Sequence, residues 1–294
     1  MFRGFLFCLF LWCMPIGLLA QQKFSLYAGT GYQGGNSRWS IAGNSNGTNP
    51  DIYSELIWKN LQSVTLQAGA AYRFYRQWGL RVEYAEAFLQ SGKVTDTDYG
   101  ADHRQQPVYN GVFKDNKGHL TTFDAALTYT INLPGKWSLT PSLGYVYNRQ
   151  ALYILPASIN DPANLHSTYT ARWQGLLAGV EAAFQVSRRL GITPSLQYDQ
   201  LRYNAVANWN LISQFRHPVS FTHTANGYTL RPAAQVYYTV NAHTKLYLQG
   251  HYAYWDTGHG ADQLFLATGE TDHTRLNGVT RHEGGAGLGV LFSW

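Results

Sequence analysis

Apolar and polar residues take turns along much of this chain. Between Ser63 and Phe74, one face of an extended segment carries Val64, Leu66, Ala68, Ala70, Tyr72 and Phe74. The other face carries Ser63, Thr65, Gln67, Gly69, Ala71 and Arg73. A period of two is that of a β-strand with one apolar face. The same reading holds for Phe123, Ala125, Leu127, Tyr129, Ile131 and Leu133 against Asp124, Ala126, Thr128, Thr130 and Asn132. It holds again for Leu176 to Val186, for Tyr228 to Val240, and for Ala286, Leu288, Val290, Phe292 and Trp294.

Short turns are predicted at Arg76-Gln77, Pro134-Gly135-Lys136, Ser187-Arg188-Arg189 and Asn241-Ala242-His243. Longer polar connections are predicted near 42–51, 94–117, 153–167, 211–216 and 257–278. Four tight turns and five loops separate ten strands, with both ends of the pattern on the tight-turn side. This layout predicts an all-β fold, a ten-stranded antiparallel transmembrane barrel with short turns on one side and long loops on the other. The alternating runs exceed the roughly 9–11 residues a tilted membrane strand needs. A secreted β-sandwich also alternates, but its strands usually stop at about five or six residues. Pro141, Pro194 and Pro232 fall inside strand patterns, where bulges are expected because proline cannot donate to the ladder.

Composition sharpens this picture. Of 294 residues, 45% are hydrophobic and 15% aromatic, with Tyr 21, Phe 14 and Trp 9, and only 13% are charged. Ordinary globular proteins carry about 25% charge. Few charges, many tyrosines and Gly 29 suit a β-protein with half its surface in lipid. A net charge of +5, spread thinly, argues against a nucleic-acid partner. Residues 1–20 read as a secretory signal peptide, with Arg3 at the start, an apolar run from Phe5 to Leu19, and cleavage before Gln21. The expected mature domain is then 21–294. Both cysteines, Cys8 and Cys13, lie in the signal, so thiol chemistry is not expected of the barrel. No His-x-His or His-x-x-x-His pair occurs, and neither a metal site nor a cofactor is expected.

Ser54-Glu55-Leu56-Ile57-Trp58-Lys59 resembles the S-x-L-x-W-K stretch that opens the second strand of the omptins, a family of outer-membrane proteases. Thr122-Phe123-Asp124, Leu143-Gly144-Tyr145 and Lys245 to Gly250 resemble that family's fourth, fifth and ninth strands. The terminal Trp294, in phase with the apolar face, resembles the ending of bacterial outer-membrane barrels. The resemblance implies a ten-stranded barrel in the bacterial outer membrane, and an endopeptidase that holds a water between two residue pairs at the outer mouth. Lys93 to Tyr99 resembles the segment with the first pair, placing Asp96 and Asp98 on its two aspartates. Two neighbouring carboxylates in a shielded groove repel, so one should hold its proton unusually well. The second pair, Asp-x-His, falls on Asn208 and Asn210, counted from Tyr198. Asparagine cannot act as a general base, and losing one costs about 10²–10⁴-fold. His103, His217, His223, His259, His273 and His282 are the candidates for a replacement. The family's acidic specificity positions fall near Asn36-Ser37-Arg38 and Ala205-Val206, without an acid.

The resemblance also implies lipopolysaccharide as a partner, held by Tyr145, Arg149 and Arg172 on the outer wall. An ordinary interfacial arginine that snorkels toward the headgroups is the other reading of Arg149. Two functional readings stand side by side: an aspartic-type endopeptidase acting on a peptide or protein substrate, and a proteolytically inactive omptin-like barrel serving surface binding or adhesion through its outer loops. A diffusion channel fits less well, because ten strands leave a lumen narrow enough for side chains to fill.

Overall fold

The computed structural model describes residues 23–294; the expected signal peptide and its cleavage site lie outside them. The described residues form strands joined by turns and loops, with no helix among them. Thirteen strand segments follow one another: β1 (Phe24–Ile41), β2 (Ser54–Tyr75), β3 (Trp78–Ala101), β4 (Gln105–Lys114), β5 (His119–Tyr129), β6 (Ile131–Asn132), β7 (Trp137–Ile154), β8 (Ser167–Gln185), β9 (Leu190–Asn208), β10 (Phe221–Thr239), β11 (Thr244–Thr257), β12 (Gly260–Phe265) and β13 (Thr271–Ser293). Ten of them form a closed antiparallel ring, β1-β2-β3-β5-β7-β8-β9-β10-β11-β13. Closure is made by β1 on β13, in register from Ser25 opposite Ser293 to Ile41 opposite Leu276. A closed ring has no unpaired edge, which is what a β-structure in lipid requires. The segments at Ser54, Thr122, Leu143 and Lys245 lie on the second, fourth, fifth and ninth members of the ring.

All four short turns lie where the sequence places them. Two of the long connections are more ordered than expected. The 94–117 stretch is not a loop: β3 runs through it for 24 residues in all, and β4 returns along it as a hairpin. Likewise β12 and the start of β13 pair within 257–278. The prolines produce no bulge. Pro141, Pro194 and Pro232 keep their strand registers, and ladder pairs are simply dropped beside them. The break between β5 and β6 at Thr130 faces Thr140 and Pro141, where the missing N–H leaves the neighbouring strand without a donor.

Along the half nearest the short turns, outward residues are apolar and exposed, among them Leu66, Leu80, Leu127, Leu196 and Leu248. Aromatics rim the same end, with Trp78 against Tyr129, Trp137 against Phe184, and Phe24 against Trp294. This is the lipid band with its interfacial girdle. Its lumen is crossed by polar ties. Arg231 on β10 bonds Asp124 on β5 at 2.8 Å and lies 3.0 Å from Asp199 on β9. Arg81 meets Glu181, and Gln249 donates to Gln67 at 2.8 Å. Tyrosines pack on inward glycines: a Cβ at Gly69 would run into the Tyr27 ring, and one at Gly191 into Tyr237.

Strands of 22 to 24 residues, such as β2, β3 and β13, far outrun the lipid band. At about 3.3 Å per residue, the surplus stands on the loop side. There the inside is a hydrophobic core built on Trp39, Trp58, Trp173, Tyr203 and Trp255, while outward positions carry Arg38, Arg172 and Arg202.

Candidate functional site

Two bulges turn the inner face toward the mouth. In β2, Ser63 and Leu61 point inward, but Asn60 takes a left-handed φ of 54° and the register shifts. Above it the inward residues are Trp58, Leu56 and Ser54. In β3 the same shift separates inward Leu89 from inward Val94, Asp96 and Asp98. A one-residue slip exchanges the two faces of a strand. Without it, Asp96 and Asp98 would face away from the cleft.

Pairing on both sides fixes these carboxylates. Asp96 lies opposite Leu56 on β2 and Gly111 on β4, and Asp98 opposite Ser54 and Tyr109. The β3–β4 hairpin is pinned to β2 by Arg104, which bonds both oxygens of buried Glu55 at 2.8 and 3.0 Å. Such a two-pronged pair holds orientation as well as position. Asp51 and Asp102 tie the hairpin tip to the 42–53 loop: the Asp51 N–H donates to Asp102 at 2.8 Å, and the His103 N–H donates to Asp51 at 2.8 Å.

The two aspartates open on a cavity of about 530 Å³ at the loop end of the barrel. Its walls are mostly apolar, with Trp39, Phe113, Trp209, Phe215, Phe221 and Leu264 prominent. Asp96 is 9% exposed and accepts no hydrogen bond among the described residues. Burial, and secondarily the charge of Asp98, push its carboxyl up to about 7. Burial also raises Asp98, against a hydrogen bond from Ser54. No lysine, arginine or histidine is among the lining residues.

Across the cavity lies a pair that sequence reading did not assemble. His223 on β10 stands opposite Asp262 on β12, with Nε2 3.1 Å from Oδ1. The other ring nitrogen is 2.9 Å from the Tyr169 hydroxyl, which meets Tyr203 in turn. Thr274 donates to the second Asp262 oxygen at 2.9 Å. His223 is fully buried beneath Trp39 and Phe221. Asp262 reaches the cavity wall, and the imidazole behind it does not. The inward phase of Phe221, His223 and Ala225 was a signal for the histidine; nothing in the polar 257–278 stretch marked Asp262.

Asn208 and Asn210, where the resemblance puts the second pair, do not line the cavity. On β9 the inward residues are Tyr203, Ala205 and Ala207, so Asn208 faces outward and Trp209 fills the inner position. Asn208 lies 2.8 Å from His217 Nδ1, whose other nitrogen lies 3.2 Å from the Ile212 carbonyl. Asn210 ties two loops together, accepting from the His166 N–H at 2.9 Å and donating to the Asn164 carbonyl at 2.8 Å. The remaining histidine candidates also lie away from the cavity. His103 pairs with Asp51, His259 with the Asn277 carbonyl, and His282 with Asn36; His273 sits on β13 opposite Gln263.

On the outer wall, Arg149 and Arg172 are direct neighbours across β7 and β8, with exposed Tyr145 further down β7 toward the lipid. Arg149 also contacts His119 at 2.5 Å.

A closed antiparallel ring with a lipid-facing apolar band defines a bacterial outer-membrane β-barrel. The family Pom, Protochlamydia outer membrane protein, matches residues 27–290, and the chain belongs to that family. Among solved structures, the outer-membrane protease OmpT of Escherichia coli is similar at 12% identity, with a TM-score of 0.71 over 92% of this chain and 97% of that one. OprG of Pseudomonas aeruginosa is similar at 10% identity and a TM-score of 0.43, covering 93% of this chain and 97% of that one. The translocator domain of NalP from Neisseria meningitidis is similar at 10% identity and a TM-score of 0.42, covering 94% and 90%. At such identities the likeness to OmpT shows the fold alone. No curated protein sequence matches the chain.

Proposed function

We propose that this barrel is a proteolytically inactive, omptin-like surface binder whose outer cleft holds a ligand. The observation that carries the reading is the make-up of the cleft: a formed, mostly apolar cavity with three carboxylates, Asp96, Asp98 and Asp262, and no imidazole on its walls. The positions where the resemblance put an Asp-x-His pair are asparagines with structural hydrogen bonds outside the cavity. The buried His223 sits between Asp262 and Tyr169, closed off from the water of the cavity. The neighbouring arginines Arg149 and Arg172, above an apolar wall and beside Tyr145, support lipopolysaccharide phosphate as the partner on the lipid side.

A second reading is favoured by one observation. Asp96, held near neutrality, could share a proton with Asp98 and activate a water as an aspartic-type endopeptidase. A mixed peptide library incubated with the folded barrel and lipopolysaccharide separates the two. The expected result is no cleavage by the wild type. Cleavage that disappears in Asp96→Asn overturns the binding reading in favour of proteolysis.

A further inference from the structure

We propose that the ligand of the outer cleft is an apolar molecule bearing one protonated amine, with the amine seated on Asp96 and Asp98. The inference rests on the binding reading above and adds the ligand's charge and shape. Asp96 is nine-tenths buried, faces the cavity and has no hydrogen-bond partner among the described residues. Asp98 beside it receives only the Ser54 hydroxyl. An ionised carboxylate taken out of water without a partner is costly, and folded proteins pair such groups. The third carboxylate on the wall, Asp262, already accepts from Thr274 and stands 3.1 Å from the His223 ring nitrogen.

The missing positive charge is not on the protein side. No lysine or arginine lines the cavity, and the nearby Arg104 is committed to Glu55. A ligand that brings its own cation supplies the partner the ionised acid lacks. The rest of the wall states what that cation is attached to. Trp39, Phe113, Trp209, Phe215, Phe221 and Leu264 offer an apolar surface, and their rings attract an ammonium as well. A neutral apolar ligand would desolvate the two acids without pairing them, and an anion would be repelled. An apolar body with a single ammonium satisfies both parts of the wall. Because Asp96 loses its proton only near neutrality, such a ligand should bind better as the pH rises through that range.

The test uses the full barrel in phosphatidylcholine nanodiscs, with phenylbutylamine and phenylbutanol as probes of matched shape, titrated calorimetrically. The amine should bind at least about tenfold more tightly than the alcohol, the worth of one charge-assisted hydrogen bond. Asp96→Asn should erase that ratio and leave the alcohol unchanged. Asp98→Asn, at the more open position, should reduce the ratio and guards against a folding defect in the first variant. Amine affinity should climb between about pH 5.5 and about pH 8.5, where the amine itself stays protonated. Equal binding of both probes, a ratio that survives both substitutions, or a flat pH profile overturns the charge assignment while leaving a binding cleft. Absence of binding by either probe overturns the proposal together with the reading beneath it.

Discussion

In the half of the barrel beside the short turns, Leu66, Leu127, Leu196 and Leu248 point outward, and Arg231, Asp124 and Asp199 meet inside. In the half beside the long loops, Arg38, Arg172 and Arg202 point outward, and Trp58, Trp173, Tyr203 and Trp255 fill the inside. The same strands run through both halves, so alternation alone does not decide which face is apolar. The surrounding solvent does. Lipid demands an apolar outer wall and leaves the polar residues to pair with one another across the lumen. Water tolerates a charged outer wall, and the hydrophobic effect then gathers the aromatics inside. The cleft forms where the second arrangement meets the loops, which is why its walls are apolar and its two acids are poorly solvated.

The sharpest way to break this comparison is to remove the polar tie of the membrane half. Arg231→Ala strands Asp124 and Asp199 in the lumen, and breaking a buried pair typically costs about 3–5 kcal/mol. Urea unfolding of the barrel in lipid should show that loss; an unchanged midpoint would mean that water already solvates the lumen.

A second test uses one strand. On β9, Leu196 at 50% exposure and Val206 at 44% exposure both face outward. Leu196→Arg should cost about 2–4 kcal/mol, as an arginine facing mid-depth lipid does. Val206→Arg should stay within about 0.5 kcal/mol, as a surface change in water does. Equal costs would move the membrane boundary.

The third test reads the cleft through pH. Folding raises the Asp96 carboxyl from its ordinary 3.8 to about 7. Between those values the folded state holds a proton that the unfolded state releases, so stability falls as pH rises through this window. Asp115, raised to about 6 by burial, acts with the same sign and a lower midpoint. Asp96→Asn should therefore flatten the upper part of the curve, from about pH 6 to about pH 7, and leave the lower part to Asp115. Asn210→Ala in the exposed loops should cost only about 0.5–1.5 kcal/mol, together with faster amide exchange at His166. Unchanged exchange there would detach Asn210 from the loop tie.

Much of the fold was legible beforehand because a strand in lipid writes its environment at every second residue. The outward Val64, Leu66, Tyr72 and Phe74 of β2 and the four tight turns are examples. Reading failed where a second constraint entered. The 94–117 stretch is polar because its strands stand in water, and its composition therefore resembles that of a loop. The resemblance, counted from Tyr198, places Asn208 at the cleft, while the inward phase of β9 belongs to Ala205, Ala207 and Trp209.

A ten-stranded barrel and its lipid face are already written in the order of residues, because strand alternation and turn chemistry are local properties that any tertiary arrangement must respect. That Asp96 and Asp98 face a cavity, that Asn208 and Asn210 do not, and that His223 meets Asp262 emerge only once the strands are assembled. Each depends on a bulge, a strand phase or a pairing between residues far apart in the chain, and a single register shift exchanges inside for outside.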